Sequence, residues 1–231
     1  MLPNTIGNII VTGGASGLGA ATVGAVAAAG GTPLVLDRTP PPGDVAFARA
    51  DLADTEATRL AVDELAEHVH GEIHGVFTAA GIDSCGKLAD VPAKDWERVI
   101  QVNLLGTAAV IRAALPYLRA TRGRVVTCAS TLGIKALPDA TAYCASKFGV
   151  VGLTRALAAE TAGEIGVTLL IPGGMDTPFF DGRPAQYQPP PDAALSRPED
   201  VAAQVLHVLR QPIGCEIREL VVCSSKESSW P

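Results

Sequence analysis

Short apolar runs recur along this chain without polar alternation, and each is followed by a segment of helical length. No other feature constrains the fold as strongly. Asn8-Ile9-Ile10-Val11-Thr12, Thr32 to Asp37, Val45 to Ala50, Gly75 to Thr78, Arg124 to Cys128, Val167 to Ile171 and Ile217 to Cys223 read as strands. A strand with one wet face alternates apolar and polar residues; these do not, so both their faces are covered. Helices are expected over Leu18 to Ala29, with a glycine stop at Gly30-Gly31, and over Asp54 to Val69, capped by Asp54. Further helices are expected over Asp95 to Leu118, over Thr141 to Thr161, and after Arg197-Pro198-Glu199-Asp200. Strands that alternate with helices give a doubly wound α/β fold, here a parallel sheet of about seven strands with helices on both faces.

Composition supports one domain over residues 1–231: hydrophobic residues make up 48% and charged residues 18%, enough for a sizeable core. Aromatic residues are only 4%, so that core packs through small and branched side chains. The 18 basic and 24 acidic residues leave a net charge of −6, which argues against a nucleic-acid partner. No uninterrupted apolar stretch of about 18 residues is present, so no membrane span is expected. Met1 to Asn8 lacks a basic segment before an apolar run, so no secretory leader is expected either. Cys85, Cys128, Cys144, Cys215 and Cys223 are odd in number and form no C-x-x-C pair, which fits a reducing cytoplasm. His68, His70 and His74 read as a solvated helix end, and no metal is expected.

Thr12-Gly13-Gly14-Ala15-Ser16-Gly17-Leu18-Gly19 lies between the first strand and its helix. Glycines there permit a tight turn and close backbone approach, and the helix N-terminus offers free N–H groups to a pyrophosphate. The acid expected at the end of the second strand of a Rossmann-type unit is Asp37. A carboxylate in that place accepts from ribose hydroxyls and repels a 2′-phosphate, which favours NAD over NADP. Arg38 pulls the other way, since a guanidinium can pair with that phosphate, while Ser16 adds no positive charge.

Tyr143 and Lys147 stand one helical turn apart and share a face. Ser130 ends the fifth strand, and Asn103 is a polar amide on an otherwise apolar helical stretch. Together with Pro172-Gly173-Gly174-Met175-Asp176-Thr177 after the sixth strand, these motifs make the chain resemble the short-chain dehydrogenase/reductase family over essentially its whole length. The resemblance implies a hydride transfer between NAD(P) and a secondary alcohol or ketone. It assigns Asn103, Ser130, Tyr143 and Lys147 to the chemistry, with Tyr143 as acid/base. It assigns Thr12, Gly13, Gly17, Leu18 and Gly19 to the dinucleotide, Asp51 and Leu52 to the adenine, and Pro172, Gly173, Met175 and Thr177 to the nicotinamide side. Where the family carries N-N-A-G this chain reads Thr78-Ala79-Ala80-Gly81, so the fourth strand is expected to lack its usual amide braces.

The chemistry implied also makes physical sense. Tyrosine ionises near ~10, and lowering that by ~2–3 units takes ~3–4 kcal/mol, which Lys147 beneath it and an oxidised nicotinamide ring are expected to supply. Asn103 is expected to hold a water that links Lys147 to solvent. A short lid at about residues 177–196 carries Phe179, Phe180, Arg183 and Tyr187. Phe179 and Phe180 read either as lid residues or as loop anchors, and Arg183 either as an anion binder or as a surface arginine; Lys135 is equally ambiguous. Thr131, Leu132, Ile134, Leu137 and Ile82 to Cys85 are expected to line the substrate pocket. Ala108, Ala109, Ala113, Gly149, Gly152 and Ala156 give small helix faces, from which a homodimer or homotetramer is expected. Two other readings stay open: an NADPH-dependent 3-oxoacyl-thioester or polyketide-type reductase, and a dinucleotide-sensing binding protein without catalysis.

Overall fold

A computed structural model of the protein describes residues 6–230. The leader expectation rests largely on residues 1–5, which lie outside that range, as does Pro231. Seven strands, β1 (Asn8–Thr12), β2 (Thr32–Asp37), β3 (Ala46–Arg49), β4 (Gly75–Thr78), β5 (Arg124–Cys128), β6 (Gly166–Pro172) and β7 (Glu219–Val222), form one sheet in the order β3-β2-β1-β4-β5-β6-β7. Every pairing is parallel. Two cores follow from the two-residue period of the strands. Ile10, Leu34 and Leu36 point into one, with Val62, Leu65, Val110 and Ile111. Ile9, Val11 and Val35 point into the other, with Val23, Val26, Val201 and Val205. Helices α1 (Gly17–Ala28) and α6 (Pro198–Leu209) therefore cover one face; α2 (Thr55–His68), α4 (Thr107–Thr121) and α5 (Thr141–Glu160) cover the other. Asp54 caps α2, its Oδ1 accepting from the Glu56 and Ala57 amides at 3.1 and 2.9 Å.

The chain runs outward through β1, β2 and β3, then crosses back to lay β4 against β1. The carboxyl ends of β1 and β4 flank that reversal, where open α/β sheets leave a crevice for ligands. One expectation needs correction. The helix anticipated over Asp95 to Leu118 starts at Ala93 and is not regular: α3 (Ala93–Ile100) passes through a π-helical turn (Gln101–Gly106) into α4. Pro92 precedes α3 and Asp95 sits in its first turn rather than before it. A π turn inserts an extra residue and re-aims the side chains around it, here Asn103. The combined run Ala93–Thr121 is long and apolar enough to cross a bilayer by length and composition, with mean hydropathy 1.4. In the fold its apolar side faces the sheet, with Val99, Val102, Val110, Ile111, Ala114 and Leu118 buried.

Candidate active site

The glycine loop is shaped by what lies against it. Gly13 (φ 69°) and Gly17 (φ 51°) take left-handed conformations that disfavour other residues. A Cβ on Gly13 would stand 2.9 Å from the Ala80 Cα, and one on Gly14 would stand 2.9 Å from the Val35 methyls. A Cβ on Gly19 would run into the Gly13 carbonyl. Ser16 occupies the N-cap of α1 without a side-chain bond to its first turn. Asp37 is held at the rim: Oδ2 accepts from the Ala15 amide at 3.0 Å and Oδ1 from the Thr39 amide at 3.1 Å. Arg38 next to it is exposed. A cradle without Cβ atoms, an uncapped helix start and a rim carboxylate fit the pyrophosphate and ribose of a dinucleotide.

Asp51 pairs with Arg98 at 2.6 Å and accepts from the Ala53 amide at 3.0 Å. Burial raises this carboxyl, but the Arg98 and Ala53 bonds outweigh it and the net shift is downward. Leu52 is turned into the core under Gly106, so Asp51 is the polar member of the expected adenine pair.

The four candidate catalytic residues converge beside this loop. Tyr143 and Lys147 project from α5, and Ser130 follows β5. Lys147 is buried and its Nζ donates to the Cys128 carbonyl at 2.9 Å, lying 5.6 Å from the centre of the Tyr143 ring. Ser130 Oγ accepts from the Leu132 amide at 3.1 Å. Burial pushes the Tyr143 phenol above its ordinary value; Cys128 and Asp83 add to the rise, while the Ser130 hydrogen bond and Arg183 oppose it. Burial likewise lowers the Lys147 ammonium. In the protein alone burial outweighs what lowers the phenol, and the Lys147 ammonium is directed at a backbone carbonyl.

Asn103 also differs from expectation. Its Oδ1 accepts from the Ile82 amide at 2.8 Å, and its Nδ2 donates to the Ile82 carbonyl at 2.9 Å and to Ser146 Oγ at 3.0 Å. Both amide protons are engaged, so the side chain splints the end of β4 to α5. Its main-chain carbonyl accepts from Thr107 Oγ1 at 2.8 Å. This splint, and Thr12 Oγ1 accepting from the Ala80 amide at 3.1 Å, brace the strand that lacks the family's two asparagines. Thr78 Oγ1, at the first of those positions, is buried with no partner among the described residues. Ala79, Ala80 and Gly81 run between loop and lysine; a Cβ on Gly81 would stand 3.5 Å from Lys147 Nζ.

The turn after β6 closes over the same crevice. Thr177 lies 3.3 Å from where a Gly17 Cβ would sit, and Met175 bridges to Ser196. Phe179 packs on Tyr143 with ring centres 5.6 Å apart, so it is a lid residue. Arg183 is neither a solvated nor a free cation: its guanidinium lies 4.7 and 4.8 Å from the Phe179 and Phe180 ring centres and 3.1 Å from Asp83. The C-terminal segment folds back here. Glu227 accepts from the Gly174 amide at 2.7 Å and from Ser229 Oγ at 2.7 Å, and Ser229 meets Thr131 Oγ1 at 2.6 Å. Thr131 is thereby buried under the tail instead of lining a pocket, and Lys135 donates to the Ser228 carbonyl at 3.1 Å. Arg98 and Glu227 were not singled out by sequence reasoning, and Asp83 entered only within the Ile82 to Cys85 stretch expected to line the pocket. Asp83 carried a faint signal, two residues beyond Gly81; Glu227 carried none.

Other expectations resolve simply. His74 accepts from the Asn8 amide through Nδ1 at 3.2 Å, and His70 sits in a left-handed turn at φ 55°. Among the described residues, no three His, Cys, Asp or Glu side chains gather as metal ligands. Gly149 makes room for Leu104 of its own chain, whereas Gly152 and Ala156 are exposed, as are Phe148 and Leu105 at 45% and 48%.

Residues 7–188 match the family described as short chain dehydrogenase. The chain is 32% identical over 219 residues to a 3-oxoacyl-[acyl-carrier-protein] reductase of Thermotoga maritima, covering 85% of this chain and 87% of that one. It is 28% identical to an L-fucose dehydrogenase of Mus musculus, covering 96% and 89%. Among solved structures, an alcohol dehydrogenase of Thermococcus sibiricus complexed with 5-hydroxy-NADP superposes with a TM-score of 0.84 at 22% identity, over 93% of this chain and 95% of that one. That last likeness concerns the fold.

Proposed function

The chain belongs to the short-chain dehydrogenase/reductase family, oxidoreductases acting on CH–OH groups, and from that premise we propose that it is an NAD-preferring dehydrogenase of secondary alcohols with Tyr143 as acid/base. The observation that carries this reading is the convergence of Tyr143, Ser130 and Lys147 at the carboxyl end of β5, where Ala80-Gly81 packs between Lys147 and a glycine loop closed by Thr177. A bound nicotinamide dinucleotide supplies the hydride acceptor or donor and, when oxidised, a positively charged ring.

The residues divide the remaining work. As the phenolate, Tyr143 takes the proton of the substrate hydroxyl during oxidation; as the neutral phenol it gives one up during reduction. Ser130 accepts from Leu132 and directs its O–H toward Tyr143, where that group is placed to steady the charge developing on the substrate oxygen. Lys147 uses one N–H on Cys128 and has two left for ribose hydroxyls and for a proton relay. Because the amide of Asn103 is engaged with Ile82 and Ser146, its side chain has no N–H left for a relay water and acts instead by positioning the end of β4 beside Lys147. Burial raises the phenol in the protein alone, so Lys147 together with the positive ring of a bound oxidised nicotinamide would supply the stabilisation that lets Tyr143 act as a base. Proton removal is thereby coupled to having the hydride acceptor in place.

Asp37, already oriented by Ala15 and Thr39, supports NAD over NADP. The 32% identity to an acyl-carrier-protein reductase supports a second reading, an NADPH-dependent 3-oxoacyl-thioester reductase. Initial rates with each cofactor, on a secondary-alcohol panel and on a 3-oxoacyl thioester, separate the two: faster turnover of the thioester with NADPH rejects the first. We place the enzyme in the cytoplasm on the strength of five free thiols. The exposed Leu105 on the π turn and Phe148, Gly152 and Ala156 on α5 support a homodimer or homotetramer through these two segments, which sedimentation would reject by giving a 23.7 kDa species alone.

A further inference from the structure

Asp83 is the least expected charge in the molecule. It follows Gly81-Ile82, where Asn103 pins Ile82 from both sides, so its backbone has little freedom. Its side chain is only 7% exposed. Burying a carboxylate without full compensation is costly, and a fold keeps such a group where it has a partner or a task. Its partners are the Ser84 amide at 2.7 Å, the Cys85 thiol at 3.3 Å and Arg183 at 3.1 Å.

Arg183 answers it from the lid. Contact with both Phe179 and Phe180 restricts where the guanidinium can lie, and with its faces against rings only its edge N–H groups are available. The Nη2 nitrogen nearest Asp83 is buried, yet makes no well-aligned hydrogen bond to any described group. The ion pair is therefore close in distance and incomplete in bonding: a buried donor is left over beside a buried acceptor. Both charges are near enough to the Tyr143 phenol to act on it, and Phe179 connects Arg183 to the tyrosine ring.

The geometry points to Asp83 and Arg183 as the substrate-selecting residues: the pair fits a neutral hydroxyl adjacent to the reacting carbon, which donates to Asp83 and accepts from Arg183, so the enzyme favours 1,2-diols and α-hydroxy ketones over simple alcohols and ketones. This rests on the alcohol dehydrogenase reading above. Charge narrows the choice. A substrate carboxylate drawn to Arg183 would also face Asp83, and a substrate ammonium drawn to Asp83 would face Arg183 and Lys147. A hydroxyl suits both, because it is donor and acceptor in one atom. The redox step keeps its ordinary balance: one carbinol C–H leaves as hydride to the nicotinamide, its O–H proton goes to Tyr143, and the neighbouring hydroxyl is retained unchanged.

The test compares matched compounds on the wild-type enzyme: cyclohexanol with 1,2-cyclohexanediol, 2-butanol with 2,3-butanediol, and the hydroxy acid and amino alcohol of similar size, each with NAD and NADP. A site built to bond a substrate hydroxyl discriminates against the analogue that lacks it, so kcat/KM for the diols is expected to exceed that of the mono-alcohols by at least about tenfold. In the Asp83→Asn/Arg183→Gln double variant, whose folding is checked by cofactor binding, the diol-to-alcohol ratio should fall toward unity whatever the absolute rates. Equal use of diols and mono-alcohols by wild type, preference for the hydroxy acid or amino alcohol, or an unchanged ratio in the double variant overturns the assignment while the dehydrogenase reading stands. No turnover of any compound with either cofactor overturns both.

Discussion

The two sides of the crevice are built from different materials. On the cofactor side the surface is backbone: Gly13, Gly14 and Gly19 are defined by atoms they lack, and Asp37 is fixed by two amides, Ala15 of the glycine loop and Thr39 of its own turn. On the substrate side the surface is side chains from distant segments: Phe179 on Tyr143, Arg183 on Asp83, and Glu227 under the Gly173-Gly174 turn. A backbone cradle has one shape and accepts one kind of partner. Packed and ion-paired side chains can be rearranged by a few substitutions without disturbing the sheet. The comparison explains how a single framework can keep its cofactor while its substrates differ.

The sharpest break should come where the sides meet. Tyr143→Phe is expected to lower kcat by about 10²–10⁴-fold while leaving cofactor affinity, read by nicotinamide fluorescence, essentially as it was. In the same assay the alcohol-oxidation rate should rise with pH as the phenol ionises, and Lys147→Met should move that rise to higher pH. An unmoved midpoint would show that the lysine does not act on the phenol.

On the cofactor side, Gly19→Ala forces a Cβ against the Gly13 carbonyl. It should weaken cofactor binding sharply and destabilise the fold by about 1–3 kcal/mol, read as a lower melting temperature. Gly24→Ala in the same helix meets nothing within 4 Å and should instead stabilise by up to about 1 kcal/mol. Equal effects at both positions would refute the steric account of the cradle. Asp37→Ala removes a charged acceptor from the rim and should shift the NADP-to-NAD ratio of kcat/KM by about 10–100-fold. An unchanged ratio would reject Asp37 as the discriminating group.

The smallest effect is expected at the tail. Burial raises the Glu227 carboxyl, but hydrogen bonds from Gly174 and Ser229 outweigh it and leave it below its ordinary value. A group depressed in the folded state stabilises above its unfolded value, and that contribution is lost as pH falls through its folded value. Glu227→Gln should therefore cost about 1 kcal/mol near neutrality, or about 2–4 °C, and should flatten the acid limb of the stability curve. An acid limb identical to that of wild type would show that the tail is not anchored by this charge.

The cofactor side was readable from the sequence because its determinants are local. A glycine loop between a strand and a helix, or an acid at the end of the next strand, has a fixed place once the strands are recognised. Tyr143 and Lys147 are equally local, one turn apart on α5. The long helix was legible as a helix but not as a broken one, since a π turn arises from what Asn103 reaches rather than from propensity. The Asn103 side chain was assigned a water because its partners, Ile82 and Ser146, are far from it in sequence. Arg183 was weighed as a surface cation because nothing near it along the chain reveals Asp83, a hundred residues earlier.

By itself the sequence determined the parallel sheet, the crevice at its carboxyl edge and the identity of the candidate catalytic side chains, because hydrophobic periodicity and short motifs act over a few residues. Only the tertiary structure decided the direction of the Lys147 ammonium, the pairing of Asp83 with Arg183 and the return of Glu227 to the β6 turn. Those depend on which distant groups share a buried volume, where an unpaired charge is too costly to leave and the nearest partner is set by packing.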